Sequence, residues 1–170
     1  MKRNFVLTAL FALSLMAVSA SAQKAPDFSG TWTLDTAKSS PAEQMVESQT
    51  LVVTQTAEDI KVERTTKVKA EAAERMRGGG GNGDAPITYT LDGKAVDTEV
   101  PGRGGSMKIS TKAKIDGGKL EITRSFTTPM GDRTATEKWW LNADGTLTVE
   151  SGRQNREGGM ETMTRIYKKS

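Results

Sequence analysis

The chain has 170 residues, 24 lysines and arginines against 21 aspartates and glutamates, and neither cysteine nor histidine. The two missing residue types exclude disulfides, thiol nucleophiles, imidazole acid–base chemistry and histidine-ligated metal or haem. A formal charge of +3 argues weakly for nucleic acid or an anionic membrane as partner, and more weakly still once the first residues are considered.

Residues 1–22 read as a signal peptide. Lys2 and Arg3 precede an apolar run from Phe5 to Val18, and Ala20-Ser21-Ala22 supplies the small residues of a cleavage site. The run is short of the ~20 residues that span a bilayer as a helix. Cleavage near Ala22 leaves 148 of the 170 residues, 23–170, as one domain, and removal of Lys2 and Arg3 lowers the formal charge from +3 to +1. The expected location is an exported one, periplasmic or secreted. No later segment has the length and apolarity of a transmembrane helix, and no nucleic-acid partner, metal or cofactor is expected.

From Asp27 onward the pattern has period two, that of strands. Asp27 to Asp35 opens the series, followed by Ser48 to Thr56 and by Ile60, Val62 and Arg64 on one face of a third strand. Ser40-Pro41-Ala42-Glu43 carries a cap, a first-turn proline and a glutamate three residues after the cap, which predicts a short helix over 41–47. Val68 to Arg77 has helical composition but runs into Gly78 to Gly83. Strand extension, short helix and loop all stay open there. The glycine runs at 78–83 and 102–105 lack the Lys-Ser/Thr of a phosphate cradle and the aromatics of an RNA-binding segment, and read as hairpin loops.

Ile87 to Leu91 and Ala95 to Val100 flank Asp92-Gly93, a hairpin-type turn. Met107 to Ile115 and Leu120 to Phe126 flank Asp116-Gly117-Gly118, and Arg133 to Leu141, Thr146 to Ser151 and Met160 to Lys168 complete about ten strands. A meander of that length has two bare edges unless it curls round on itself. The expected architecture is therefore all-β: an up-and-down antiparallel barrel of about 8–10 strands with one short capping helix, its first and last strands adjacent. A two-sheet sandwich would need longer crossovers than the chain offers.

Several side chains stand out. Trp139-Trp140 puts one ring on each face of its strand. Arg165 and Tyr167, two residues apart, share a face, so a guanidinium and a phenol can converge on one anion; a surface cation beside a rim tyrosine is the alternative. Arg124 shares a face with Leu120, Ile122 and Phe126, as a second inward cation or a snorkelling strand-end arginine. For acid–base catalysis the one available combination is Glu121 with Glu137 or Glu150, and nothing in their spacing isolates a pair. An enzyme is not expected.

Phe28-Ser29-Gly30-Thr31-Trp32-Thr33-Leu34 resembles the first-strand signature of the calycins, the lipocalins and fatty-acid-binding proteins. Thr164-Arg165-Ile166-Tyr167-Lys168-Lys169 resembles the last strand of the fatty-acid-binding proteins, and the hairpins at Asp116-Gly117 and Asp144-Gly145 resemble those before it. The likeness covers about 12 residues at the start and the last 55 or so. It implies a lipocalin-like barrel whose base is plugged by Trp32, with Gly30 allowing close approach beside a basic residue of the last strand. It also implies a ligand carboxylate held by Arg165, Tyr167 and an inward cation at or near Lys138. The two-helix lid of the fatty-acid-binding proteins and the second lipocalin motif are missing.

The resulting expectation is an exported binding protein for a small hydrophobic or amphipathic, fatty-acid-like ligand. The alternative is a non-enzymatic interaction module of the cell envelope with a packed barrel core.

Overall fold

A computed structural model describes residues 25–41, 45–75, 85–102, 105–128, 131–154 and 158–170. The expected signal peptide at 1–22 and the glycine run at 78–83 lie outside them. Ten strands follow one another: β1 (Gly30–Ser40), β2 (Val46–Gln55), β3 (Asp59–Val68), β4 (Ile87–Thr90), β5 (Val96–Gly102), β6 (Gly105–Asp116), β7 (Lys119–Thr128), β8 (Gly131–Leu141), β9 (Leu147–Gln154) and β10 (Met160–Lys169). One helix, α1 (Ala70–Arg75), follows β3.

All ten strands form one antiparallel sheet in the order β4-β3-β2-β1-β10-β9-β8-β7-β6-β5. The chain ends are neighbours, with Trp32 opposite Lys169 and Leu34 opposite Tyr167. The free margins are instead the mid-chain strands β4 and β5. Asp92-Gly93 is thus not the hairpin that its turn chemistry predicts: it sends the chain from one margin of the sheet to the other. Just past β4, Asp92 bridges Lys114 of β6 and the Gly93 N–H donates to the Ala113 carbonyl at 3.0 Å, which draws the two margins toward each other at that end. The sheet is a barrel with a seam.

Of the helix predicted over 41–47, residues 42–44 lie outside the described residues, and its last two positions are strand. Val46 and Glu47 begin β2, with Val46 paired to Val68 and buried in the core. Cross-strand pairing and burial override the local capping pattern there. The helix lies instead at Ala70–Arg75, within the stretch whose composition left three readings open, and Ala72 is its buried contact.

Burial is uneven around the barrel. Phe28, Trp32, Leu51, Ile60, Trp139, Leu147, Val149 and Tyr167 fill the half bounded by β1–β3 and β8–β10. Phe28 meets Trp139 edge-on, with ring centroids 6.3 Å apart and planes at 89°, and the Trp32 Nε1–H donates to the Phe28 carbonyl at 2.8 Å. Each such ring stabilises the fold by about 1.5–3 kcal/mol. Leu120 and Ile122 of β7, with Tyr89 and Ala113, extend this core toward the other half, but the rest of the interior between β4 and β7 is not filled.

Candidate functional site: a hollow with an arginine floor

The unfilled half holds a cavity of about 450 Å³. Ile87 and Tyr89 of β4 form one wall, Val96, Thr98 and Val100 of β5 another, and Ile109, Thr111 and Ala113 of β6 a third. Arg124 and Phe126 of β7 complete it. Strand periodicity sets this lining, because alternate residues of each strand face inward and those of β5 and β6 are apolar or threonine. The volume falls within the range of small-molecule sites, about 300–1,000 Å³. Ile87 and Val96 remain 43% and 47% exposed, on either side of the seam.

Arg124 is the one charged group in this lining. Its Nη2 donates to the Tyr89 hydroxyl, and its Nη1 lies 3.3 Å from Glu137 Oε1. The second carboxylate oxygen of Glu137 accepts from Trp139 Nε1 at 3.1 Å and lies 3.7 Å from Arg64 Nη2. Burial opposes the charge on Arg124, but Glu137 and Tyr89 together outweigh it and raise its pKa. Tyr89 is pushed up chiefly by its own burial, against the pull of Arg124. The guanidinium is therefore held ionised, beside a neutral phenol. Arg64 and Arg124 face one carboxylate, leaving an excess positive charge, and Arg64 Nε is buried with no hydrogen-bond partner among the described residues.

Of the residues expected to bind a ligand, Arg124 lines this cavity. Arg165 and Tyr167 do share the inward face, opposite Val149 and Leu147, but in the filled half. The Tyr167 hydroxyl is buried and donates to Gln49 Oε1 at 2.5 Å, and Gln49 Nε2 donates in turn to Thr66 at 2.8 Å. Lys138 corrects the expectation. Trp139 is the inward ring, 1% exposed, so Lys138 and Trp140 face out. Lys138 pairs with Glu121 at 3.7 Å, and Trp140 lies under the Lys119 ammonium at 4.6 Å. The inward charges of β8 are Glu137 and, toward its other end, Arg133. Glu121 and Glu150, both opposite Lys138, face outward, so neither forms a carboxylate pair with Glu137.

At the base, Trp32 is buried and the Lys169 ammonium lies 5.3 Å from its ring centroid. Gly30, at φ 134°, leaves the space that Lys169 crosses: a Cβ there would lie 2.7 Å from Lys169 Cε. Sequence reasoning missed Arg64, Tyr89 and Glu137 as parts of one cluster. Arg64 alternating with Ile60 and Val62 was the signal available, but its partner lies 73 positions further along the chain.

No family model and no curated protein matches the chain. Solved structures do. The fluorescent protein UnaG aligns over 84% of this chain and 97% of its own, at 16% identity and a TM-score of 0.50. An asparagine-to-glutamine mutant of UnaG gives the same values except for 96% of its own length. Secretory abundant heat soluble protein 4 from Ramazzottius varieornatus aligns over 84% of this chain and 94% of its own, at 12% identity and a TM-score of 0.47. At such identities the UnaG likeness establishes the fold alone: the chain is a calycin-like β-barrel.

Proposed function

We propose that this chain is an exported, non-catalytic carrier or sensor that encloses a small acidic amphipath, its apolar part in the β4–β7 hollow and its acid group against Arg124. The observation that carries this reading is the single ionised guanidinium in an otherwise apolar and threonine-lined cavity. An apolar chain buried there gains about 0.8 kcal/mol per methylene. A carboxylate beside Arg124 would form charge-assisted hydrogen bonds where Glu137 alone does not balance two arginines. The basic start, apolar run and small-residue site in 1–22 support export, and the lack of histidine and cysteine supports a role without chemistry.

The test is displacement of a fluorescent alkyl probe from the purified chain by dodecanoate and by dodecanol. Dodecanoate is expected to bind at least tenfold more tightly, an advantage that Arg124→Gln removes, since tenfold corresponds to about 1.4 kcal/mol. Absence of probe binding at millimolar concentration, or no preference for the acid, would overturn the reading.

A further inference from the structure

The strand cations are partitioned by type. Among the described residues, all five strand arginines (Arg64, Arg124, Arg133, Arg153 and Arg165) lie on the interior face. The strand lysines are all exposed, Lys169 at the base included, where its ammonium lies over Trp32. Solvation alone asks only for positive charge, and lysine meets that need on the outer face. A planar, five-donor guanidinium matches oxyanions in a way that an ammonium does not.

Two of these arginines flank one small residue, and a third lies two positions along the same strand. Ala135 of β8 stands directly opposite Arg124 of β7 on one side and Arg153 of β9 on the other. Directly opposed side chains in a sheet start about 4.5–5.5 Å apart at Cβ. Arg133 is the next inward residue toward one end of β8 and Glu137 the next toward the other, where it meets Arg64. The methyl group of Ala135 is thus a low floor among long basic walls. Cavity space lies above it on both sides. About 470 Å³ is bounded by Arg133, Arg153, Gln154 and Glu161, and about 190 Å³ by Arg124, Glu137, Ser151 and Arg153. Phe126 joins the larger space to the apolar hollow.

The charges do not cancel. Arg64, Arg124, Arg133 and Arg153 face Glu137 and Glu161, of which Glu161 lies 3.8 Å from Arg153 and Glu137 is shared by Arg64 and Arg124. Four cations against two anions leave a formal charge of +2 across this cluster.

We propose that the space over Ala135 is a subsite for a doubly charged oxyanion headgroup of the phosphomonoester class, so that the preferred ligand is an alkyl phosphate rather than a carboxylate. The proposal rests on the amphipath reading above and sharpens its headgroup. A phosphate carries close to two negative charges and three acceptor oxygens at neutral pH. It can engage Arg124, Arg153 and Arg133 from one position, whereas a carboxylate reaches fewer of them.

Dodecyl phosphate, dodecanoate and dodecanol are titrated calorimetrically against the wild-type chain, against Arg133→Gln/Arg153→Gln and against Ala135→Leu. Arg133 and Arg153 are exposed, so the double variant is expected to fold, and its circular dichroism and melting temperature check this. The wild type is expected to prefer dodecyl phosphate over dodecanoate by about tenfold or more, the worth of one further charge-assisted bond. The double variant brings the two within about twofold while its affinity for dodecanoate changes by less than about threefold. Ala135→Leu, which fills the floor, also loses the phosphate preference. Equal affinities in the wild type, or an undiminished preference in the double variant, overturn the subsite and leave the amphipath reading standing. No binding of any of the three compounds overturns both.

Discussion

Arg124 on β7 and Tyr89 on β4 are joined, guanidinium to hydroxyl, across a seam where β4 and β5 form no ladder. β4 is four residues long and pairs only with β3. A side-chain contact therefore does part of what backbone hydrogen bonds do elsewhere in the barrel. The same guanidinium is the cation of the hollow, so closure and binding share one residue.

Arg124→Met should therefore loosen β4 as well as weaken binding. It strips Tyr89 of its donor and leaves Glu137 with only Arg64 as a cation partner, a loss of about 1–3 kcal/mol. Amide exchange at Ile87 to Thr90 should accelerate in the variant, with β1 and β10 unaffected. Unchanged exchange in β4 would show that the seam is held without Arg124.

Glu137 competes with any bound anion for the same guanidinium. Glu137→Gln keeps the shape and removes the charge, so the acid probe should bind about tenfold more tightly. Stability should fall by about 1–3 kcal/mol, because Arg64 and Arg124 then face each other without a counter-ion. Calorimetry and thermal melting together check this. Weaker binding of the anion would mean that Glu137 positions Arg124 rather than opposing the ligand.

Gly30→Ala tests the base of the barrel. Its φ of 134° is a conformation that alanine resists, at a cost of about 1–3 kcal/mol, and the new methyl meets Lys169 Cε. Lys169 can move, so the backbone term decides the result. A melting temperature lower by roughly 2–12 °C is expected. Shortening Lys169 in the same chain should recover little of it, and full recovery would assign the cost to the contact instead.

The pH dependence follows from the carboxylates. The hydrogen bond from Lys168, 2.7 Å from Asp35, holds that carboxyl below the usual range, as Lys108 does for Asp97 and Lys114 for Asp116. Folded values below unfolded ones mean that this stability is present above the unfolded pKa, near 4, and lost as the pH falls through the folded values. Tyr89 has the opposite sign. Raised by burial, its contribution is intact below the unfolded value near 10 and lost as the pH rises through the folded one. No histidine titrates between these limits. The melting temperature should be level from about pH 5 to 9 and fall on both sides, with a shallower acid fall in Asp35→Asn. A shift of several degrees between pH 6 and 8 would contradict this.

Local chemistry made the strands legible. Period-two alternation marks β2, β6 and β7, and Gly117-Gly118, both at positive φ, turn β6 into β7 as the sequence Asp116-Gly117-Gly118 predicts. The pairing of Trp32 with Lys169 was also legible, because a closing meander brings its two ends together. The seam was not. Asp92-Gly93 has the residues of a tight hairpin, and only the position of β6 beside β4 shows that the chain leaves that margin. Val46 and Glu47 carry a helix signal that β3 overrules by pairing. The parity of β8 decided the site: with two adjacent tryptophans, sequence alone does not say which faces in, and the choice of Trp139 puts Glu137 inside and Lys138 outside. The Arg64–Glu137–Arg124–Tyr89 cluster draws on four strands, so no local window contains it.

The ligand is expected to lie in the β4–β7 half of the barrel. The most direct measurement is the backbone amide spectrum of the ¹⁵N-labelled chain titrated with dodecanoate. Shifts should concentrate at Tyr89, Thr98, Thr111, Ala113 and Phe126, with Arg124 among the largest and Leu51, Leu147 and Val149 nearly still. Shifts confined to outward residues such as Lys138 and Trp140, or none at saturation, would contradict it.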